Sequence, residues 1–281
     1  MTQKRVAAIH DISGFGKCSL TVALPILSAA GIETAVIPTA VLSTHTGGFS
    51  DYTFCDLTDQ LLPIAQHWHR LGLHFDGVYT GYLGSARQID LVLQAFDLLR
   101  GADTMLLVDP AMADGGRLYA GFADDFPRQM RRLAQRADLL VPNITEACLL
   151  TDTPYRDGPY RKEYIETLLQ KLAALGAPQV VLTGVFFDRE QLGAAAYTAA
   201  TGEIHYALTH RMDGFYHGTG DVFASALLAA VQNGFTLSEA ADIAAEFTAG
   251  AISRTRAAGT DLRFGVQFEP ELPWLIRRLG L

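Results

Sequence analysis

The stretch Gly218-Thr219-Gly220-Asp221 stands directly before the apolar run Val222–Val231. An apolar run of this length after two glycines predicts a buried helix over Asp221–Gln232. Backbone N–H groups and partial positive charge at a helix start bind anions, and glycines allow close approach. The stretch therefore predicts a phosphate cradle without lysine, with Asp221 beside it as a carboxylate that can accept a proton. A helix cap preceded by an ordinary turn explains the same four residues equally well.

Upstream of this stretch, short apolar runs alternate with longer helical patterns. This alternation predicts a mostly parallel sheet covered by helices on both faces, the architecture of the α/β class. The continuous apolar character of most runs favours strands that are buried on both faces. The predicted strands are Val6–His10, Thr34–Pro38, Gly77–Thr80, Met105–Asp109, Leu139–Pro142 and Val180–Thr183. The predicted helices are Ser19–Ala30, Leu57–Leu71, Ala86–Leu99, Pro127–Gln135 and Lys162–Ala174.

The C-terminal part of the chain predicts a β-hairpin, split by the turn Thr201-Gly202, and two helices besides the one after Gly220. The segments are Ala194–Thr198 and Ile204–Leu208 for the hairpin, then the helices Leu237–Arg254 and Pro270–Leu279. The stretch Thr151–Tyr160 contains two prolines and a glycine but lies between two helices. It predicts a surface loop and not a domain boundary. We therefore expect one domain over residues 1–281.

Composition excludes several classes of protein. Of the 281 residues, 49% are hydrophobic and 19% are charged, which argues against extended disorder. A net charge of −8 without a basic run argues against nucleic acids and anionic membranes as partners. The polar start Met1–Arg5 predicts no signal peptide and Val222–Val231 is too short to span a bilayer, so we expect a cytoplasmic protein. Cys18, Cys55 and Cys148 are odd in number and far apart, which predicts buried free thiols.

Acidic and amide side chains follow two of the predicted strands. Asp109-Pro110 ends one of them, and Asn143 and Glu146 follow the next. Ligands bind at the carboxyl ends of strands in open α/β folds, and magnesium prefers oxygen ligands. The pattern favours a magnesium site that includes Asp109 and Glu146. The structural alternatives are a loop-capping Asp109 and a capping box between Asn143 and Glu146.

Two polar loops after predicted strands indicate a site for a planar ligand. Gly81-Tyr82-Leu83-Gly84 combines glycines, which permit close backbone approach, with a tyrosine that can form an aromatic wall. Ser43-Thr44-His45-Thr46-Gly47-Gly48 contains a histidine that can hydrogen-bond a heteroaromatic ring. An ordinary strand-to-helix turn and a solvent-exposed histidine are the alternatives.

The loop after the first strand, His10–Ser19, is close to two nucleotide-binding motifs and matches neither. A Walker loop requires a glycine where the chain has Asp11, and Ser or Thr where it has Cys18. A dinucleotide fingerprint requires a third glycine at position 19, which is serine. The loop instead supplies hydroxyl, carboxylate and amide groups at the predicted sheet edge.

Together these motifs resemble those of the ribokinase-like superfamily and, within it, the pyridoxal kinases. Gly218–Asp221 is similar to the anion-hole and catalytic-base motif of the superfamily. Asp109-Pro110 resembles its acidic nucleotide-side motif, and Asn143-x-x-Glu146 resembles its magnesium-associated motif. Gly81–Gly84 and Ser43-x-His45-Thr46 narrow the resemblance to pyridoxal kinases. The resemblance covers essentially the whole chain and implies a three-layer α/β sandwich.

The resemblance implies a kinase that uses ATP and Mg²⁺ to phosphorylate the 5′-hydroxymethyl group of a vitamin B6 vitamer. Asp221 would be the base, and Gly218, Thr219 and Gly220 would hold the transferring phosphoryl group. The nucleotide-side residues would be Asp109 and Glu146 at magnesium with Asn143 and Thr183 at the ATP phosphates. The ring-side residues would be Asp11 or Ser13, with His45, Thr46 and Tyr82. The resemblance also implies a homodimer and leaves a requirement for a monovalent cation such as K⁺ open.

The first loop leaves alternatives open. Asp11-Ile12 stands where pyridoxal kinases have Ser-His, with Ser13 two places later, so the preferred vitamer is undetermined. The loop also resembles that of hydroxymethylpyrimidine kinases of thiamin biosynthesis, which is the main alternative. A nicotinamide-dependent oxidoreductase would bind NAD, and a non-catalytic B6-binding module would tolerate loss of Asp221.

Overall fold

A nine-stranded sheet forms the centre of the computed structural model, which describes residues 3–281. Met1 and Thr2, which begin the polar N-terminus, lie outside the described residues. The strands are, in chain order, β1 (Arg5–Ser13), β2 (Glu33–Leu42), β3 (Phe54–Asp56), β4 (Gly77–Thr80), β5 (Met105–Val108), β6 (Ala113–Asp114), β7 (Arg117–Leu118), β8 (Leu139–Leu140), β9 (Gln179–Val185), β10 (Gln191–Thr198) and β11 (Glu203–His210). The sheet order is β11-β10-β9-β8-β5-β4-β1-β2-β3, and β6 pairs with β7 in a separate hairpin.

The centre of the sheet is parallel and buried on both faces. The six neighbouring strands from β9 to β2 run parallel, whereas β3, β10 and β11 pair antiparallel at the two ends. In β1, Val6 packs into one core while Ala7 and Ile9 pack into the other. Burial of both faces is typical of parallel sheets with helical crossovers. The predicted α/β architecture is therefore confirmed.

Two layers of helices cover the sheet. Helices α2 to α6 pack on the face that includes Ile9, and α1 and α7 to α9 pack on the face that includes Val6. The helices are α1 (Leu20–Ala29), α2 (Thr58–Arg70), α3 (Ala86–Leu99), α4 (Phe126–Ala134), α5 (Ile144–Thr151), α6 (Lys162–Ala174), α7 (Thr219–Gln232), α8 (Leu237–Ala258) and α9 (Leu272–Arg278). Within residues 3–281, no helix is both long and apolar enough to cross a membrane.

The structure differs from the sequence-based expectations in short elements. Strand β3 and the hairpin β6–β7 were not expected, because two or three residues are too few to establish a periodicity. The predicted final helix is divided into a 3₁₀ turn over Glu269–Glu271 and helix α9. Pro273 lacks the N–H that would continue an α-helix through this point. All three cysteines are free, but Cys55 is exposed on β3, so the expectation of a buried thiol was wrong there.

Candidate active site

The strand order brings the predicted site residues to one edge of the sheet. Because the six central strands are parallel, their carboxyl ends meet at the same edge, with neighbouring strands about 4.8 Å apart. From β9 to β2, the residues near or just after these ends are Thr183, Asn143, Asp109, Tyr82, Asp11 and His45. The edge thus divides into the predicted nucleotide side on β9, β8 and β5 and the predicted ring side on β4, β1 and β2, which are called the nucleotide side and the ring side below.

The first residues of α7 stand over this edge. The helix begins at Thr219 after the N-cap Gly218, whose backbone is left-handed with φ 77°. A Cβ atom at Gly218 would lie 2.1 Å from the carbonyl oxygen of Lys17, so glycine is required here. No side chain of residues 3–281 caps the helix. Its first N–H groups have no partner within the helix, so they are free to bind an anion as the sequence predicts.

Asp221 is the third residue of α7 and lies near other acidic and phenolic groups. Burial raises its pKa to about 7, the N–H of Ser19 lowers it, and the charge of Asp11 raises it. Burial and the charge of Asp221 also raise the pKa values of the Tyr79 hydroxyl and the Asp109 carboxyl. Asp221 therefore lies where the ring side and the nucleotide side meet.

On the nucleotide side, Glu146 is held by the backbone. Its Oε2 accepts a hydrogen bond from the Asn143 N–H at 2.8 Å, and its Oε1 accepts from the N–H groups of Met112 at 3.0 Å and Ala113 at 3.4 Å. Asn143 Oδ1 in turn accepts from the Glu146 N–H at 2.9 Å, which completes a capping box at the start of α5. The capping box, which is the structural alternative for this pair, is therefore present.

The carboxylates on this side fit a magnesium site of limited extent. Among residues 3–281, no cluster of three or more His, Cys, Asp or Glu side chains is placed to hold a metal ion. Mg²⁺ needs only one or two carboxylates when substrate phosphates and waters complete its shell. Burial, followed by the charges of Glu146 and Asp221, raises the pKa of Asp109. An added cation would relieve this repulsion, so Asp109 fits a magnesium ligand, while Glu146 has its oxygens already engaged.

Backbone hydrogen bonding connects Thr183 on β9 to the segment Pro142-Asn143 that follows β8. The Thr183 N–H donates to the Pro142 carbonyl at 2.9 Å, and Asn143 and Thr183 form a parallel bridge. Asn143 Nδ2 donates to the Ala113 carbonyl at 2.7 Å. These bonds fix the two predicted phosphate-side residues at adjacent positions of the edge.

On the ring side, Asp11 is a buried carboxylate held by two hydroxyl groups. Its Oδ1 accepts from Ser19 Oγ at 2.5 Å, and its Oδ2 accepts from Ser13 Oγ at 2.9 Å. Burial raises the pKa of Asp11, while the two hydroxyl groups and the nearby His45 lower it. The charge of Asp11 adds to burial in raising the pKa of Tyr82. Asp11 therefore lies close to both His45 and Tyr82.

His45 uses both ring nitrogens inside the protein. Its Nδ1 accepts from the Gly47 N–H at 3.0 Å, and its Nε2 lies 2.6 Å from the Arg263 carbonyl oxygen. A carbonyl can only accept, so the proton of the neutral ring is on Nε2. Burial lowers the pKa of His45, which favours this neutral form. The ring is thus fixed in place, and its edge packs against Phe49 at a centroid distance of 4.9 Å.

The other predicted ring-side residues differ in their burial. Tyr82 is half-buried and its ring lies 5.6 Å from that of Phe122. Thr46 is exposed. Ser13 is buried and directs its hydroxyl to Asp11. The structure therefore groups Asp11, Ser13 and Tyr82 near His45 and leaves Thr46 at the rim.

Sequence reasoning missed Ser19 and Arg263. Ser19 Oγ donates to Asp11, the Ser19 backbone lowers the pKa of Asp221, and the Arg263 carbonyl fixes His45. Ser19 ends the loop His10–Ser19, and its position directly before α1 was the available signal. Arg263 carried no signal, because its contact uses a backbone carbonyl 218 residues from His45.

Comparisons with known proteins show which proteins this chain resembles. The profile of the phosphomethylpyrimidine kinase family matches residues 25–265. A candidate phosphomethylpyrimidine kinase from Bacteroides thetaiotaomicron, solved with pyridoxal, is 35% identical with a TM-score of 0.92, covering 100% of this chain and 96% of that one. Pyridoxal kinase from Lactobacillus plantarum is 34% identical with a TM-score of 0.89, covering 99% and 98%. The pyridoxine/pyridoxal/pyridoxamine kinase of Bordetella avium is 28% identical over 265 residues, 90% of this chain and 86% of that protein.

Proposed function

Since the chain belongs to the phosphomethylpyrimidine kinase family, we propose that it transfers the γ-phosphoryl group of ATP to the 5′-hydroxymethyl group of a vitamin B6 vitamer: pyridoxal, pyridoxamine or pyridoxine. The family membership bears out the resemblance noted in the motifs. The observation that carries the proposal is the position of Asp221, near Asp11 on the ring side and Asp109 on the nucleotide side. The relatives that are solved with pyridoxal or named pyridoxal kinase support a B6 vitamer as the acceptor.

In this proposal Asp221 is the base. Its carboxylate accepts the proton of the substrate hydroxymethyl group as the oxygen attacks the γ-phosphorus. Phosphoryl transfer depends mainly on positioning and charge stabilisation, so Asp221 also orients the hydroxyl. With a pKa of about 7, the carboxyl gains and loses its proton near neutral pH. This suits a group that must be ionised before the reaction and protonated after it.

The N-terminal turn of α7 receives negative charge in the transition state. The N–H groups of Thr219 and Gly220 belong to the first helical turn, where the helix dipole favours an anion. Gly220 has open space around the position of a Cβ atom, so a phosphoryl group can approach the backbone. Donors fixed in advance in this way stabilise charge without reorganisation during the reaction.

The nucleotide side would hold the ATP phosphates with Mg²⁺. When bound with ATP, Mg²⁺ supplies positive charge that offsets the phosphate charge. Asp109 would bind the ion directly, and Glu146 would act through water because its oxygens accept backbone N–H bonds. Thr183 and Asn143, fixed side by side, would contact the phosphates.

The ring side would hold the pyridine ring among Asp11, His45 and Tyr82. Tyr82 offers an aromatic wall, and the buried Asp11 and Ser13 offer polar groups for the ring hydroxyl or nitrogen. His45 would contribute packing through its fixed neutral ring, because both of its nitrogens are bonded within the protein. Thr46 at the rim would close the site from the solvent side.

An ADP-release assay with MgATP tests the proposal. Pyridoxal, pyridoxamine, pyridoxine and hydroxymethylpyrimidine are compared for the wild type and for Asp221→Asn. We expect turnover of at least one B6 vitamer, and a kcat lower by roughly 10²–10⁴-fold in Asp221→Asn, the usual contribution of a general base. Asp103→Asn, which changes an exposed aspartate, is the matched control and should retain full activity.

Each other outcome has a definite meaning. An Asp221→Asn variant with more than half of the wild-type activity would refute the role of Asp221 as the base. Binding of a vitamer to the wild type without turnover would favour a B6-binding module. Turnover of hydroxymethylpyrimidine alone would move the chain to the thiamin branch of the same family, the second candidate that the family profile favours. Binding of NAD without turnover of any of the four acceptors would revive the oxidoreductase alternative.

We extend the proposal to assembly and location. The family resemblance favours a single catalytic domain over residues 1–281, a homodimer and the cytoplasm. On the outer strand β3, Phe54 is 57% exposed, and Val41 of the neighbouring β2 is 40% exposed. Apolar side chains on a sheet edge favour pairing with a second chain, which supports the homodimer.

A further inference from the structure

The loop 261–265 follows helix α8 and makes a single 3₁₀ turn at the surface. Asp261 caps this turn, since its Oδ1 accepts the Arg263 N–H at 3.0 Å. Arg263 and Phe264 are exposed, whereas Val266, directly after the loop, is fully buried. The loop is therefore anchored in the core at its end while its turn lies on the surface.

Contacts on two sides hold the Arg263 side chain. Its Nη2 donates to Asp261 Oδ2 at 2.6 Å, and its Nε lies 3.0 Å from the same oxygen. Its Cγ and Cδ pack on Gly48, where an added Cβ would lie 3.1 Å from both atoms. Its guanidinium carbon lies 5.6 Å from the centre of the Phe49 ring. Because the side chain is held in this way, the Arg263 carbonyl keeps one direction.

That carbonyl points at His45, which is only 5% exposed and lies between the ring-side loops. The Nε2 of His45 donates to the Arg263 carbonyl at 2.6 Å. The backbone N–H of His45 donates to the Phe15 carbonyl at 3.2 Å, in the loop after β1. The His45 ring also packs against Gly16, where a Cβ would collide with it. His45 thus connects the loop after β1, its own loop after β2 and the loop 261–265.

The loop 261–265 also contacts the loop after β1 directly. The Phe264 ring lies 5.0 Å from the Phe15 ring in an edge-to-face arrangement, a favourable geometry for aromatic pairs. Gly265 has φ 80°, and a Cβ there would lie 2.6 Å from the Gly16 carbonyl oxygen. Glycine at position 265 therefore permits an approach between two backbones that alanine would prevent.

We propose that the loop 261–265 is a positioning element for the acceptor: Arg263 holds His45 between the two ring-side loops, and this sets how tightly the acceptor binds. The proposal rests on the proposed kinase function. Arg263 acts through His45 and is a positioning residue. Since the contacts of the loop described above lie on the ring side, we expect an effect on the KM for the vitamer and none on the KM for ATP.

Steady-state kinetics of loop variants test this expectation. Gly265→Ala forces the loop away from Gly16, so the KM for the vitamer should rise about 10-fold or more while kcat stays within about threefold. Asp261→Ala removes the acceptor of two Arg263 donors, and the same KM should rise about 3- to 10-fold. Asp261→Asn retains an oxygen for the Arg263 N–H and should restore part of the affinity. Exposed ion pairs contribute little to stability, so both Asp261 variants should fold.

The tautomer of His45 gives a readout that a merely structural role of the loop would not move. In ¹⁵N NMR of labelled histidine at about pH 8, the neutral ring of the wild type should carry its proton on Nε2. Gly265→Ala withdraws the Arg263 carbonyl from Nε2, so the signals of the ring should shift toward a mixture of the two tautomers. His45→Gln assigns these signals.

Gly259→Ala is the matched control. Gly259 also has a positive φ, 62°, but a Cβ there would meet no atom within 4 Å. This variant should match the wild type in the KM for the vitamer and in the His45 signals. In Gly265→Ala, an unchanged KM for the vitamer, an equal rise in the KM for ATP or an unchanged tautomer would each overturn the proposal. If the wild type turned over none of the acceptors, the proposed function would fail, while the NMR signals would still decide whether the loop holds His45.

Discussion

At Asp221, burial and a hydrogen bond from the Ser19 backbone act on the same carboxyl in opposite directions. The net pKa of about 7 means that the group is largely protonated below pH 6 and ionised above pH 8. Only the ionised form can accept the substrate proton. We therefore expect kcat/KM for the vitamer, which reports the free enzyme, to rise about tenfold per pH unit below pH 7 and to level off above it. A rate constant that is flat from about pH 5.5 to 8 would contradict this assignment.

Single residues of the site differ in how far the sequence could predict them. Asp109 and Asp221 were predictable, because each adjoins an apolar strand or helix whose end had to face the ligand edge. The positive φ of Ser19, 57°, was not predictable, because serine has no preference for a positive φ. The engaged nitrogens of His45 were not predictable either, since one partner is the distant carbonyl of Arg263.

At the scale of the element, the start of α7 depends on one glycine far more than on the other. Gly218 has φ 77°, and a Cβ there would meet the Lys17 carbonyl, whereas a Cβ at Gly220 would meet no atom within 4 Å. Gly218→Ala should therefore lower the free energy of unfolding by about 1–3 kcal/mol. Gly220→Ala should leave it unchanged or raise it by up to about 1 kcal/mol, because alanine favours the helix. Urea denaturation of both variants measures the difference, and equal destabilisation would show that the close approach to Lys17 is unimportant.

Elements whose residues form a recognisable sequence pattern were predictable, and elements without such a pattern were not. The capping box of Asn143 and Glu146 was readable from its spacing and is present at the start of α5. Strand β3 and the hairpin β6–β7 have two or three residues each, and their pairing is set by neighbouring strands and loops. The sequence therefore located the long elements, while tertiary contacts determined the short ones.

At the scale of the whole molecule, the strand order sorts the site into two sides. The sequence predicted parallel strands but not that β4 and β1 would lie between β5 and β2. That order separates Asp109 from Asp11 by the width of β4. Strand order depends on which faces and edges pack together, so a pattern along one chain does not contain it.

The same arrangement concentrates carboxyl groups whose pKa values are raised. Burial raises the pKa values of Asp221, Asp109 and Glu146 above their ordinary range. The folded state then binds more protons than the unfolded chain between the ordinary and the raised pKa values, so stability falls as pH rises through that interval. Burial lowers the pKa values of His10, His45 and His217, and the resulting loss of stability occurs below about pH 6.5, where these groups are protonated in the unfolded chain. The carboxylates Asp76 and Asp261 have lowered pKa values and matter only in more acidic solution.

The interval from about pH 6.5 to 8 lies above the ordinary pKa of histidine and below that of cysteine, so changes in stability there come mainly from the site carboxylates. Across it, a pKa of about 7 for Asp221 costs about 1 kcal/mol of stability, so we expect the Tm of the free protein to fall by about 2–4 °C or more. Differential scanning calorimetry at several pH values measures this fall. It should be smaller in Asp221→Asn, which cannot ionise, and unchanged in Asp103→Asn, which alters an exposed aspartate. The fall of Tm should also be smaller with MgATP present, because positive charge at Asp109 lowers the pKa values of the neighbouring carboxyl groups. An equal fall of Tm in the wild type and in Asp221→Asn would mean that the pKa of Asp221 is not raised in the folded protein.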